Sequence, residues 1–415
     1  MIIPELLVPA GDIEKLKTAF LYGADACFLG VKAMSMRVKI DDDGGDVLKE
    51  ALELKNKLGK KLYLTMNIHA HENRLNFLEK ELDRLTKLHE KGLTPDGILI
   101  SDPGIFDIVQ KRCPFLPLHI STQANILNSG AIKFWASLGA TRVVLGREVS
   151  LRELQNIKKT LKSDGIDVEL EAFIHGAMCM AYSGRCLLSN FMASRDANEG
   201  MCAHTCRWNY KVYLEENMRP NEFIPIEEDQ CGTSLMSSKD MCMVEHLKDL
   251  VDVGLESLKI EGRHKTVYYT AIATRAYREA LDLAMDGKPP TPEIMDLIDS
   301  IDTRGYFTGF WYGKPGAEGQ RYTERSDYNE NYCFAGIIRK VDGGKMTMEV
   351  RNRLDKGDKL DVITPKKTIP IELNKFKNAK NGEVIEAASA GQGFSIILDA
   401  PEGVEEWFVV RKNLD

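Results

Sequence analysis

The chain has 415 residues, 43% of them apolar and 28% charged, with a formal net charge of −7. That composition excludes a disordered or low-complexity chain, and the acidic balance supplies no global attraction for a polyanion, so any nucleic-acid contact must rest on local basic patches. No apolar run approaches the roughly 18 residues that cross a bilayer, and MIIPELLVPAGDIEKLK has neither the basic start nor the apolar core of a signal peptide. We therefore expect a cytoplasmic protein with no membrane partner. In a reducing compartment its nine cysteines are better suited to ligation or catalysis than to disulfides.

From the N-terminus one rhythm repeats: a short apolar strand, a turn, an amphipathic helix. The expected strands are ELLVPAG from Glu5, ACFLG from Ala26, KLYLTMN from Lys61, GILIS from Gly97, HISTQ from His119, RVVLG from Arg142, VELEAFIHG from Val168 and SLKIEG from Ser257. They are short and apolar or β-branched, as parallel strands buried on both faces should be. Between them lie helical patterns such as Leu75, Leu78, Leu82, Leu85 and Leu88, with Gly92 as the stop. Eight strands alternating with helices predict a (β/α)8 TIM-like barrel over residues 1–325. A doubly wound sheet is the alternative, but no GxGxxG follows a strand.

About 80 residues separate the seventh strand from the eighth, far beyond an ordinary connection. This insertion, about 177–256, holds six of the nine cysteines. It also holds an expected hairpin, Tyr210 to Leu214 against Phe223 to Ile226, and an expected helix from about Lys239 to Val253. The last barrel helix is predicted from Val267 to Met285, followed by a linker of little periodicity. In the C-terminal part, 326–415, alternating segments joined by Asp342-Gly343-Gly344 and Lys356-Gly357-Asp358 predict a small all-β barrel. The acidic run Asp41 to Asp46 reads as a solvated loop.

In such a barrel the chemistry sits at the C-terminal ends of the strands. Those ends carry Asn67, Ser101 with Asp102, Gln123, Arg147 with Glu148, His175, and Lys259, Glu261 and Arg263. So polar a mouth is costly unless it binds something. His175, Arg147, Lys259, Glu261 and Arg263 are the candidates for catalysis, and Asn67, Gln123 and Glu148 for substrate contacts. Capping of the following helices competes as the role of Ser101, Asp102 and Glu148. Two guanidinium groups at one mouth call for carboxylate or phosphate partners.

Four thiols, Cys179, Cys186, Cys202 and Cys206, lie in a loop-rich stretch at spacings that fit neither paired CxxC ribbons nor common ferredoxin runs. Four thiolates nevertheless satisfy a 4Fe-4S cluster, whose binding would offset the entropy of ordering the loop. Structural zinc and unligated thiols are the alternatives, and Cys231 and Cys242 are alternates to Cys206 as fourth ligand. Cys27, Cys113 and Cys333 read as single packed thiols. Beside the thiols, CRWNYK offers Arg207 for phosphate and Trp208 for base stacking; packing of the hairpin is the competing role of Trp208. Neither a GxSxG elbow nor HExxH occurs.

The stretch Glu171-x-Phe173-x-His175-Gly176-Ala177-Met178-Cys179, followed by Ala181-Tyr182-Ser183-Gly184-x-Cys186, resembles the signature of the collagenase-like peptidase U32 family. The likeness extends to PELLVPAG, YGADACFLG, STQAN, GMCAHTCRW, MSSKD and SLKIEGR, nearly the whole chain. It implies an oxygen-independent hydroxylation protein with an iron–sulfur cluster, acting on a tRNA wobble uridine, ribosomal RNA or a ubiquinone precursor. Prephenate is implicated as the hydroxyl source, a dicarboxylate that Arg147, Lys259 and Arg263 could hold. The CxxxCRW element and the C-terminal β domain are most similar to the tRNA branch, which makes 5-hydroxyuridine. The resemblance implies Cys179, Cys186 and Cys202 as cluster ligands with Cys206 as the fourth, and a substrate contact at Tyr182. The family's name preserves a peptidase reading as the alternative.

Overall fold

The computed structural model describes residues 2–31, 34–35, 46–178, 188–195, 202–208, 212–215, 220, 223–226, 237–315, 319–321, 329–391 and 393–414. Seven strands follow in order: β1 (Glu5–Pro9), β2 (Ala26–Gly30), β3 (Lys61–Met66), β4 (Gly97–Ile100), β5 (Leu118–Ile120), β6 (Arg142–Val144) and β7 (Glu169–Ala177). In the insertion come β8 (Val212–Glu215), β9 (Phe223–Ile226), β10 (Ser237–Ser238) and β11 (Asp240–Cys242), and then β12 (Ser257–Ile260). The strands β1 to β7 and β12 pair in parallel, each with the next, and β12 closes on both β1 and β7. The expected eight-stranded barrel is the fold. Closure gives each of these eight strands a neighbour on both sides, which is why such short strands suffice.

Local signals set the helices. Leu78, Leu82, Leu85 and Leu88 are the buried stripe of helix Leu75–His89, and Ser150 with Glu153 forms a capping box on helix Leu151–Ser163. The last barrel helix runs over Val267–Met285, as expected, with fourteen buried residues. The length of that stripe reflects cover on both sides: the barrel inside and other elements outside.

Two expectations need correction. The helix placed from about Lys239 begins only at Leu247 and ends at Val253, because Asp240–Cys242 are the strand β11, antiparallel to the end of β7. The linker after Gly287 contains helix Pro292–Asp299, started by Thr291 and a proline in its first turn. The expected hairpin forms, with Val212–Glu215 pairing Phe223–Ile226; Tyr210 and Lys211 lie outside the described residues. Of the acidic run, residues 41–45 lie outside the described residues, and Asp46 opens helix Asp46–Leu58.

The C-terminal part is an antiparallel sheet of eight strands that includes Tyr332–Asp342, Lys345–Val350 and Val409–Asn413. It has its own core of Ile338, Met348, Leu360, Phe376 and Val410. The sheet docks on the first and last barrel helices. The buried Tyr22 hydroxyl donates to the Ile363 carbonyl at 2.5 Å and accepts from the Val409 N–H at 3.0 Å. Arg275 donates to Thr368 at 3.2 Å, and Tyr268 stacks on Phe334 at 5.5 Å.

Candidate active site at the barrel mouth

The lumen carries charge along its length. Glu5 on β1 and Arg142 on β6 are not neighbours in the sheet, yet Oε1 and Nη1 are 2.8 Å apart, so the pair crosses the barrel. Lys61 meets the other Glu5 oxygen at 3.1 Å from the outside end. Arg142 continues to Glu171 at 3.1 Å, and Glu171 to Lys259 at 2.7 Å. Tyr63 donates to Glu5 at 2.8 Å and lies under the Arg142 guanidinium. Burial pushes the Glu171 carboxyl up, but Lys259 and Arg142 outweigh it and hold it below the usual value. The same balance, with Arg142 foremost among the cations, lowers Glu5.

Above this layer lies the mouth, where each strand end contributes a polar group. Arg263, just past β12, donates through Nη1 to Ser35 at 2.8 Å and to Thr65 at 2.9 Å across the opening. Asn67 donates to Ser121 at 3.4 Å, and the Gln123 side-chain oxygen accepts from Ser121 and, at 3.4 Å, from Ser101. Arg147 and Glu261, both buried, face each other at 4.0 Å. Two rings form the floor. Phe28 carries Lys259 at 4.4 Å and Arg263 at 5.5 Å, while Phe173 carries Arg147 at 4.1 Å and Lys259 at 5.5 Å. Lys259 is paired with Glu171 and Arg147 faces Glu261, while Arg263 is held by hydroxyls; three cations gathered in one mouth suit an anionic ligand.

The structure therefore brings together six of the sequence candidates: Arg147, Lys259, Glu261, Arg263, Asn67 and Gln123. It also supplies Ser35, Thr65, Ser121, Phe28, Phe173 and Glu171, which the sequence reading passed over as site residues. Thr65 and Ser121 were marked by inward alternation on their strands; Ser35, in the loop after β2, carried no signal. Ser101 faces the mouth, whereas Asp102 caps helix Pro103–Arg112, accepting from Gly104 at 2.7 Å and Ile105 at 3.2 Å. Glu148 is half-buried after β6 and joins none of the hydrogen bonds just described; Ser150, not Glu148, caps the next helix.

His175 does not join the mouth, contrary to expectation. A register shift between Lys259 and Ile260 interrupts the pairing of β7 and β12, and the ring turns outward into a cage of Tyr269, Tyr277 and Tyr306, with centroids at 5.8, 5.2 and 5.7 Å. Burial drives its pKa down to about 4, so it is neutral at pH 7. Next to it, Gly176 has φ +103, and a Cβ there would lie 2.6 Å from the Glu261 carbonyl. Only glycine permits this approach of β7 to the mouth.

Of the thiols, Cys179, Cys186 and Cys231 lie outside the described residues, as does Tyr182. Cys202 and Cys206 are half-buried and form no disulfide; Cys206 lies within the turn Thr205–Arg207 and Cys202 shortly before it. His204 between them meets His264, the residue after Arg263, at 6.3 Å between ring centroids. The segment is thereby set beside the mouth. Trp208 closes the turn, exposed, with its indole N–H on the Ala203 carbonyl at 3.2 Å; the side chain of Arg207 is outside the described set. Cys242 is instead packed in β11 under the Tyr277 hydroxyl at 3.6 Å, and burial pushes its thiol pKa up. Among the described residues no group of three or more histidine, cysteine or carboxylate side chains is placed to hold a metal ion. Nor is any helix among them long and apolar enough to cross a membrane.

A closed parallel barrel with a buried cationic mouth and a cysteine-bearing insertion beside it defines the class of protein. Residues 11–321 match peptidase family U32 and residues 330–411 match the peptidase family U32 C-terminal domain, so the chain belongs to that family. It is 35% identical to tRNA hydroxylation protein P of Haemophilus influenzae over 99% of this chain and 96% of that one. With the protein of the same name from Escherichia coli it shares 34% identity over 98% and 95%. The 23S rRNA 5-hydroxycytidine C2501 synthase of Escherichia coli is 32% identical over 94% of this chain and 55% of that protein.

Proposed function

We propose that this chain hydroxylates RNA, and that its substrate is a tRNA uridine at the wobble position, converted to 5-hydroxyuridine. The observation that carries the reading is end-to-end similarity to proteins named for tRNA hydroxylation, together with a mouth in which three cations are gathered. An extruded base with its phosphate, or a small dicarboxylate such as prephenate as hydroxyl donor, suits Arg147, Lys259 and Arg263. The exposed Trp208 offers a stacking face near that opening.

Cys179, Cys186, Cys202 and Cys206 would hold a 4Fe-4S cluster. The two described thiols suit that role: both are half-buried, neither is in a disulfide, and they lie on one short segment beside the mouth. Such a cluster supplies electron transfer when bound. The packing of Cys242 against Tyr277 argues for Cys206 as the fourth ligand.

The test is mass spectrometry of tRNA nucleosides from a deletion strain. Loss of 5-hydroxyuridine-type nucleosides, restored by the wild-type gene and not by Cys179→Ala, is expected; unchanged wobble uridines overturn the reading. Hydroxylation of ribosomal RNA is the second reading, favoured by the 23S relative, and the same strain decides it through nucleosides of its 23S rRNA. Iron and sulfide analysis after anaerobic reconstitution tests the cluster separately.

A further inference from the structure

Glu171 is fully buried in the barrel lumen, one residue position per side from neighbours that are apolar: Leu170 and Ala172 face the wall, and Phe173 the mouth. A lone carboxylate in such a strand needs a reason, because desolvating it is costly without partners. Its partners are Lys259 at 2.7 Å on one oxygen and Arg142 at 3.1 Å on the other. Arg142 is itself shared with Glu5 at 2.8 Å and Glu169 at 2.7 Å, so it is fixed from below. Lys259 differs. Glu171 is the one carboxylate hydrogen-bonded to it among the described residues, and its other contacts are the faces of Phe28 and Phe173. Those two rings also carry Arg263 and Arg147. Lys259 is therefore the deepest of the three mouth cations, with Glu171 as its tether.

We propose that Glu171 is a positioning residue: it holds the Lys259 ammonium as a fixed cation against Phe28 and Phe173, directly beneath the mouth, where it faces negative charge on the bound substrate. A lysine stem is flexible and its charge is easily lost on burial; the carboxylate below fixes the stem and favours the charged form, against a burial that still lowers its pKa. Preorganised charge of this kind acts on charge that develops in a reaction without reorganising. The groups facing Lys259 are Glu171 and Phe173 on β7, Arg142 on β6, Phe28 on β2 and Arg263 beyond β12, with Glu5, Tyr63 and His119 further down the lumen. Burial and the two arginines disfavour its proton, and Glu171 is what retains it. The consequence for turnover rests on the proposed hydroxylation; the fixing of Lys259 does not.

The experiment is NMR of the lysine side-chain ammonium groups in the full chain, with Lys259 assigned by its loss in Lys259→Arg. In the wild type the Lys259 signal is expected to be slowly exchanging and charged through neutral pH. In Glu171→Gln its titration midpoint should fall by about 2–3 units, and hydroxylated tRNA should form only on the acidic side of that midpoint. Glu171→Asp keeps the charge and retracts the carboxylate by one methylene, so it should leave the titration nearly unchanged while lowering turnover about 10- to 100-fold. If Glu171→Gln does not fold, the aspartate variant carries the test. An unaltered Lys259 titration in Glu171→Gln, or wild-type turnover in Glu171→Asp, overturns the proposal. Wild-type protein that shows the Lys259 signal as expected but modifies no RNA sinks the proposed function instead.

Discussion

Glu171 and His175 stand four residues apart on one strand, both buried, in two regions that treat charge in opposite ways. The lumen keeps its ions: Glu5, Arg142, Glu171 and Lys259 alternate in sign, and each has at least one oppositely charged partner within 3.1 Å. In the cage behind β7 the histidine itself carries no charge at pH 7, although Lys265 lies over the Tyr269 ring at 5.4 Å and the buried Asp240–Arg304 pair is close by. There the His175 ring meets tyrosines, with Nδ1 at 3.2 Å from the Tyr277 hydroxyl. That hydroxyl also reaches the Ile174 carbonyl and the Met243 N–H at 3.0 Å each. The difference teaches where this barrel stores electrostatic work. Each lumen charge meets an opposite charge directly, whereas at His175 burial outweighs the more distant attraction of Asp240 and the ring is discharged.

The largest expected effect comes from breaking the lumen side. Arg142→Met leaves Glu5 and Glu171 without the cation they share, and removing one member of a buried network costs about 3–5 kcal/mol. Urea unfolding at pH 7 measures it. A loss under about 1 kcal/mol would mean that water already solvates these carboxylates and that the contrast with the cage is false.

Acidification strains the cage before the lumen. His175 titrates near pH 4 when folded and near 6.5 unfolded, so the unfolded chain binds more protons between those values. Stability from this group is complete above pH 6.5 and is lost as pH falls towards 4. Between pH 7 and 5 the loss is about 2 kcal/mol. Glu5 and Glu171, with pKa values below the ordinary 4.5, contribute only below that. The stability of the wild type, measured by urea at pH 7, 6 and 5, should therefore fall, whereas His175→Leu should show a flatter profile. Equal slopes would place the sensitive group elsewhere.

The contrast also explains what could be read in the sequence. Strand existence was legible because β1 to β7 and β12 are short apolar runs bounded by turns, and the helix Val267–Met285 was legible to the residue from its period and from Gly287. The mouth residues on β3, β5, β6 and β12 followed from strand-end position alone. His175 did not: alternation sets it on the same side as Glu171 and Phe173, and the register shift that turns it outward depends on pairing with β12, a partner 80 residues away. Strand β11 was hidden for a similar reason, since SSKDMCMVEHL has no strand period and pairs only because the end of β7 offers an edge. Helix Pro292–Asp299 did carry its signal, Thr291 and Pro292, which the surrounding Pro-rich tract obscured. Glu171 stood in plain view as a charge inside an apolar strand, but its meaning required the cross-lumen partners.

The finest test of the comparison is a deletion that the lumen should tolerate. Ser257 on β12 donates to Glu5 Oε1 at 3.3 Å, the longest of the contacts that this carboxylate receives. Arg142 serves the same oxygen at 2.8 Å, and Lys61 and Tyr63 serve the other at 3.1 and 2.8 Å. Ser257→Ala removes one neutral donor and no charge, and the remaining donors keep Glu5 ionised. The expected cost is about 0.5–1 kcal/mol, the net worth of an ordinary hydrogen bond, with no change in the pH profile above 4.5. A larger cost, or a profile that steepens near neutral pH, would show that Glu5 depends on every donor it has. Redundant partnership would then no longer be what separates the charged lumen from the discharged cage, and shape alone would have to account for it.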